Sequence, residues 1–95
     1  MLKFKIPPRL DVVSSTETEK KLVSLLNSEK PNQLVCDFSE ADYVSSAGLR
    51  IMLLFSKRMK NNGGECILCG MKKSVLDVFK LAGFDAILDI RDSVE

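Results

Sequence analysis

With 95 residues, of which 45% are hydrophobic and 28% charged, the chain has the size and composition of one small globular domain covering residues 1–95. The formal net charge is +1 and both signs are scattered, so the sequence lacks the basic surface typical of proteins that bind nucleic acid or membranes. There is no histidine, which excludes Ser-His and Cys-His catalysis and removes the commonest metal ligand.

The amino terminus and the cysteines predict a cytoplasmic protein. The first six residues are too short and too charged for a signal peptide, and no apolar run approaches the ~20 residues of a membrane span. The cysteines are odd in number and two of them lie in an apolar run, which is typical of small core residues in a reducing compartment. They are Cys36, Cys66 and Cys69.

The first part of the sequence predicts strand, helix and strand. Residues Leu2–Ile6 alternate apolar and basic side chains, as a half-buried strand does. A capping box of Ser14 and Glu17 is expected to begin a helix that runs to about Glu29. The mostly apolar run Gln33–Phe38 then predicts a buried strand.

The second part of the sequence predicts a helix, a strand, another helix and a last short element. The pair Ser45-Ser46 is a natural N-cap for a second helix, whose inward stripe is predicted from spacing. That stripe is Leu49, Met52, Leu53, Ser56 and Met59. Glu65–Cys69 predicts another buried strand, and a helix is expected over about Lys73–Ala82. Residues Ala86–Ile90 are expected to form a last short strand or a turn of helix.

The alternation of strands with helices predicts an α/β fold with one mostly parallel, four-stranded sheet. Parallel neighbours need crossover helices, and right-handed crossovers are the rule. Because the chain is short, the helices are expected to lie mainly on one face of the sheet, which leaves the other face partly open.

The segment from Asp37 to Arg50 has the pattern most typical of a functional site. A buried strand ends in a carboxylate, and a loop enters the second helix through two serines followed by the small residues Ala47 and Gly48. The amino terminus of a helix carries unpaired N–H groups and the positive end of its dipole, so it favours an anion. Helix capping and tight packing explain the same residues, and on this pattern alone they are favoured because helix caps are common and functional serines are not, while the functional interpretation stays open.

Three motifs in register resemble the STAS domains of the anti-sigma-factor antagonist family. The motifs are Asp37-Phe38-Ser39 with Tyr43-Val44-Ser45-Ser46-Ala47-Gly48-Leu49-Arg50, Arg9-Leu10-Asp11, and Leu81-Ala82-Gly83-Phe84. The resemblance implies a STAS-like sandwich. Relatives usually have an extra strand before the one that matches Leu2–Ile6, and this sequence leaves no room for it. The sheet edge is then expected to be bare, or covered by a second copy in a homodimer.

The resemblance also implies how such a domain acts. An unmodified antagonist binds an anti-sigma factor that is also a serine kinase, and the sigma factor is released. The kinase then phosphorylates a serine at the start of the second helix, and a metal-dependent serine phosphatase reverses the modification. The domain would act by reversible protein binding, with no catalysis, cofactor or metal of its own.

Carried over to this sequence, the resemblance implies Ser46 as the phosphorylated residue, with Ser45 as the alternative. Many relatives have the phosphoserine immediately before the glycine, and here Ala47 occupies that position. The partner-binding residues implied by the motif are Asp11, Asp37, Ser45, Ala47, Gly48 and Arg50. The two carboxylates are expected at the same end of the sheet as Ser46, where they would orient the serine, meet the kinase or simply cap a loop.

The sequence is also compatible with a second function, and it contains one further motif. A STAS domain that is never phosphorylated would serve as a structural subunit, for instance of a lipid-transport ATPase complex or a signalling assembly. The C-x-x-C spacing of Cys66 and Cys69 would suggest a redox or zinc site, but residues three apart in a strand point to opposite faces. The thiols are therefore expected to be structural.

Overall fold

The computed structural model describes residues 2–93 as three α-helices, six strands and one 3-10 turn. In chain order they are β1 (Leu2–Lys5), β2 (Arg9–Leu10), α1 (Val12–Glu29), β3 (Gln33–Asp37), β4 (Tyr43–Val44), α2 (Ser46–Asn61), β5 (Glu65–Cys69), α3 (Lys73–Leu81), the 3-10 turn (Phe84–Ala86) and β6 (Asp89–Arg91).

The main sheet is entirely parallel, with strand order β1-β3-β5-β6. Each crossover moves to the next strand in the same direction, so right-handed connections place all three helices on one face. The predicted α/β architecture, with four parallel strands and helices on one side, is confirmed. The short strands β2 and β4 form a separate parallel pair.

Alternate residues of the central strands divide the interior into two clusters. Leu34, Cys36, Cys66 and Leu68 belong to the main core beneath the helices. On the opposite face the buried set is small and consists of Val35, Ile67 and Cys69. Cys66 and Cys69 therefore lie on opposite faces of β5, as their spacing predicted.

The start of α1 differs from the prediction. The capping box is formed by Asp11 and Ser14, three residues earlier than the expected pair of Ser14 and Glu17. The Asp11 carboxylate accepts from the Ser14 backbone N–H, and the Ser14 hydroxyl accepts from the Asp11 N–H, both at 2.9 Å. The helix begins at Val12 because this reciprocal pair already satisfies its first N–H groups.

The buried stripe of α2 is also wider than predicted. Met52 and Met59 are buried as expected, whereas Leu49, Leu53 and Ser56 are only half-buried. The stripe is completed by Ile51 and Phe55, which spacing alone did not select. The buried stripe is wide because α2 packs against α1 on one side and against β5 on another.

Two buried thiols meet inside the main core. Cys36 Sγ lies 3.9 Å from Cys66 Sγ on the neighbouring strand. The hydrogen bond with the Cys66 thiol, together with burial, raises the pKa of Cys36 well above its usual range. The Cys36 thiol is therefore a neutral core group at physiological pH.

We expect Cys66→Ser to destabilise the domain by about 1–3 kcal/mol, because a more polar hydroxyl would replace a thiol among apolar neighbours. Urea unfolding followed by circular dichroism measures the change. Binding of any partner by the folded variant should stay as in the wild type. A variant that lost partner binding at unchanged stability would show that the thiol has a functional role.

Candidate functional site

The short strands β2 and β4 bring the starts of α1 and α2 together. Arg9 pairs with Tyr43 and Leu10 with Val44 in parallel register. The backbone N–H of Ser45 continues the ladder by donating to the Leu10 carbonyl at 2.9 Å. Two loops that are distant in sequence thus form one surface at the carboxyl end of the sheet.

Ser45 is the N-cap of α2, as predicted, and its hydroxyl is fully engaged. The oxygen accepts from the Gly48 N–H at 3.1 Å, and the hydroxyl donates to the Leu10 carbonyl at 3.0 Å. The side chain is half-buried. Modifying this hydroxyl would break both the helix cap and the link to β2.

Ser46 is placed differently from its neighbour. It is the first residue of α2, its side chain is exposed, and its hydroxyl has no hydrogen-bond partner within residues 2–93. The first backbone bond of the helix runs from the Leu49 N–H to the Ser45 carbonyl. The N–H groups of Ser46 and Ala47 precede it and remain available to an anion.

Gly48 is buried at the contact between α2 and β2. A Cβ atom at this position would lie 2.8 Å from both the Cγ and the carbonyl oxygen of Leu10. Glycine is thus required for the close approach of helix and strand, and any role of Gly48 in partner binding would be indirect. Ala47 is half-buried, and Arg50 is exposed one turn further along α2.

The two predicted carboxylates are both engaged by backbone N–H groups at this end of the sheet. Asp11 follows β2 and accepts from Ser14, and this hydrogen bond lowers the pKa of its carboxyl group. Asp37 ends β3 and accepts from the Ser39 N–H at 2.9 Å, which lowers its pKa as well. In the described part of the chain, neither carboxylate is hydrogen-bonded to Ser46.

The cap at Asp11 makes a pH-dependent contribution to stability. Its folded pKa is lower than its unfolded value of about 3.9, so the stabilisation is present above that value and is lost as pH falls through the folded pKa. We expect Asp11→Ala to lower the thermal unfolding midpoint at pH 7 and to lower it less near pH 3. Asp11→Ser, which keeps a capping oxygen, should retain most of the stability and lose the pH dependence. An unchanged difference between Asp11→Ala and the wild type from pH 7 to pH 3 would contradict this assignment.

Exposed apolar side chains stand at the start of α1 and in β4, and the sequence had not singled them out. Val12 and Val13, in the first turn of α1, are 67% and 73% exposed. The Arg9 guanidinium lies 4.5 Å from the ring centre of Tyr43, which is itself 42% exposed. Apolar side chains grouped on a surface are typical of protein-binding sites. A Val-Val pair directly after the Asp11 cap was the available sequence signal.

Within the described residues, no group of three or more His, Cys, Asp or Glu side chains is arranged to hold a metal ion. The helices of the same residues include none that is both long and apolar enough to span a bilayer.

The chain belongs to the STAS domain family, whose model matches residues 1–95. A relative from Bordetella bronchiseptica, named as anti-sigma factor antagonist BtrV, is 41% identical over 63 residues. The match covers 66% of this chain and 54% of BtrV, so the chain spans about half the length of this curated relative.

Solved structures show the same fold at low sequence identity. The crystal structure of TM1081 from Thermotoga maritima has a TM-score of 0.85 at 19% identity, covering 97% of this chain and 80% of that one. The phosphorylated form of the Bacillus cell fate determinant SpoIIAA has a TM-score of 0.75 at 16% identity, covering 98% and 82%. A sulfate transporter family protein from Wolinella succinogenes has a TM-score of 0.78 at 15% identity, covering 98% and 77%.

Proposed function

We propose that this domain is an anti-sigma-factor antagonist that binds a serine-kinase anti-sigma factor in the cytoplasm and thereby frees a sigma factor. The observation that carries the proposal is the exposed hydroxyl of Ser46, which has no hydrogen-bond partner in residues 2–93 and stands beside the engaged hydroxyl of Ser45. The name of the Bordetella relative supports it. The domain binds and is modified, and catalyses no reaction itself.

Phosphorylation of Ser46 would then end the interaction. A phosphoserine adds about −1.5 to −2 charge, and the free N–H groups of Ser46 and Ala47 at the start of α2 tolerate that charge. The complex is different, because a doubly charged group cannot be buried in an interface that fits a bare hydroxyl. The switch is local and requires no refolding. A metal-dependent serine phosphatase would restore the binding form.

The partner surface in this proposal is centred on Ser46 and extends over the exposed side chains beside it. Val12, Val13 and Tyr43 supply apolar contact area, and Arg50 supplies a charge on the exposed side of α2. Asp11, Asp37, Ser45 and Gly48 hold the geometry, since each is engaged in a cap or a close contact. Ala47 leaves room next to the serine.

The proposal is tested by incubating the purified domain with its anti-sigma factor and ATP, followed by peptide mass mapping. We expect a single phosphate on Ser46 and none on the Ser46→Ala variant. The matched control is Ser45→Ala, which keeps the acceptor and should still be phosphorylated if it folds. Phosphate on Ser45 alone would move the acceptor by one residue.

The alternative function is that of a STAS subunit that is never phosphorylated and holds a larger assembly together. The alternative is supported by the structural similarity to a sulfate transporter family protein, because a protein of that name has the same fold. Phosphorylation of Ser45 or Ser46 distinguishes the two functions. If neither serine accepts phosphate from any kinase encoded beside the gene, the subunit function is the better explanation.

The outer edge of β1 is where self-association is proposed. No strand of residues 2–93 pairs with that side. The Ile6 N–H donates to the Asp37 carbonyl, so by alternation the N–H groups of Lys3 and Lys5 point away from β3. An exposed edge of this kind can pair with a second copy, although the lysine charges of two copies would repel each other.

We expect weak self-association that strengthens with salt, because salt screens the lysine charges. Lys3→Pro removes one outward N–H and should abolish the dimer, whereas Lys3→Ala keeps that N–H and should dimerise at least as well. Sedimentation equilibrium over a range of concentrations measures both. A wild-type protein that stays monomeric at millimolar concentration and high salt would contradict the proposal.

A further inference from the structure

A second surface lies away from Ser46, between the carboxyl-terminal half of α2 and the segment that leads into β6. It is a groove of about 280 Å³ lined by Leu53, Ser56, Lys57, Lys60, Ile87 and Leu88. We call these six residues the α2–β6 groove. A neighbouring cavity shares Ser56, Lys60, Ile87 and Leu88 with it and extends towards the start of β5.

The floor and one wall of the α2–β6 groove are apolar. Leu88 is buried, Leu53 is half-buried, and Ile87 is 62% exposed directly after the 3-10 turn. A large aliphatic side chain left this exposed beside a concave apolar surface is unfavourable in water, and burying it would be favourable. The groove can therefore accept an aliphatic side chain from outside.

The rim of the groove is basic. Lys57 and Lys60 are exposed, and within residues 2–93 neither has a carboxylate within 4.0 Å. At the far end Asp89 pairs with an arginine, whereas Glu65 accepts from the neutral Gln33 amide at 2.7 Å and keeps its negative charge. The two unpaired lysines outnumber this one carboxylate, so the net charge offered to an occupant is positive.

From these observations we infer that the α2–β6 groove binds a segment of a partner protein in which an aliphatic side chain stands beside acidic residues. The aliphatic side chain would pack on Leu53, Ile87 and Leu88, and the carboxylates would pair with Lys57 and Lys60. The partner segment is expected to be acidic because neither lysine has a carboxylate of its own to pair with in residues 2–93. A second copy of this chain is disfavoured, because its lysines would face and repel those of the first copy.

The groove is separate from the surface around Ser46. Leu53 lies seven residues after Ser46, or about 10 Å along the axis of α2, and Lys60 lies about 20 Å along it. Binding at the groove is therefore independent of the charge on Ser46. The inference is independent of the proposed function, because no residue that lines the α2–β6 groove belongs to the surface around Ser46.

The experiment selects binding peptides from a random 12-residue phage library against the full-length chain, and measures the affinity of the synthesised peptides by fluorescence anisotropy. We expect the enriched sequences to place Leu, Ile or Val next to Asp or Glu. The double variant Lys57→Glu/Lys60→Glu should weaken binding at least tenfold, and so should Ile87→Ser. The matched charge reversal Lys20→Glu/Lys21→Glu on α1, and Ser46→Asp, should leave the affinity unchanged.

Amide chemical shifts of the labelled chain, recorded with and without peptide, locate the site. We expect changes at residues 53–60 and 87–88. The inference is overturned if no peptide of this kind is enriched, if the charge-reversed groove binds equally well, or if the shifts map elsewhere. A dimer that Ile87→Ser dissociates would also overturn it, because the occupant would then be a second copy. The groove variants keep Ser46, so its phosphorylation can be measured separately. Failure of the groove inference can then be told apart from failure of the proposed function.

Discussion

Replacing Ser46 with aspartate should leave the domain folded and weaken its complex with the anti-sigma-factor kinase by roughly a hundredfold. The side chain is exposed at the first position of α2, where a negative charge favours the helix, so stability should be equal or slightly higher. In the complex, the same charge would be buried without a partner. Such a charge costs about 3 kcal/mol or more, and each 1.4 kcal/mol corresponds to roughly a factor of ten in affinity.

Ser46→Ala is the matched variant for this prediction. It removes the acceptor without adding charge, so it should bind the kinase persistently and take up no phosphate. Isothermal titration with each variant, together with thermal unfolding of the free domain, measures both effects. Equal affinity of the aspartate variant and the wild type would show that Ser46 lies outside the interface, and the antagonist function would then lose its main support.

Adding one methyl group at position 48 should produce the second large effect. Gly48→Ala would place a Cβ atom 2.8 Å from both the Cγ and the carbonyl oxygen of Leu10, closer than unbonded atoms approach. Alanine favours a helix over glycine by about 1 kcal/mol, but a forced shift between packed elements costs about 1–3 kcal/mol. We expect a net loss of stability and a displaced start of α2.

The displacement distinguishes this variant from ordinary destabilisation. Because the N–H of Gly48 donates to the Ser45 hydroxyl, moving α2 off β2 would strain the cap and reposition Ser46. Urea unfolding measures the stability, and phosphorylation of the folded fraction measures the position of the serine. Gly48→Val should be worse in both assays. A more stable Gly48→Ala variant would mean that the contact with Leu10 relaxes without cost.

Much of the architecture could be predicted from the sequence because its elements are locally specified. The strand at Gln33–Asp37 is an apolar run, and the helix at Val12–Glu29 ends shortly before Pro31. The start of that helix was predicted three residues late, since Asp11 and Ser14 satisfy the capping pattern as well as Ser14 and Glu17 do. The sequence alone does not show which of the two overlapping capping boxes forms, because the choice depends on where β2 ends in the folded chain.

Contacts that depend on the folded arrangement could not be predicted. The pairing of Arg9 with Tyr43 joins strands of only two residues, which are too short for any period in the sequence. The contact between the Cys36 and Cys66 thiols depends on strand register, and the α2–β6 groove depends on how the last crossover packs. The N-cap of α2 was predicted at the pair Ser45-Ser46, and Ser45 occupies that position. Ser46 as the phosphate acceptor stays a prediction.

The order of strands in the main sheet sets a delay during synthesis. Leu2 pairs with Leu34, about 30 residues further along the chain, so the partner that β1 has within residues 2–93 leaves the ribosome well after β1 itself. At about 5–20 residues per second this interval lasts roughly 2–6 s. During it Leu2 and Phe4 have no core to pack against. Lys3 and Lys5 alternate with them, and charges placed in this way oppose association between nascent chains.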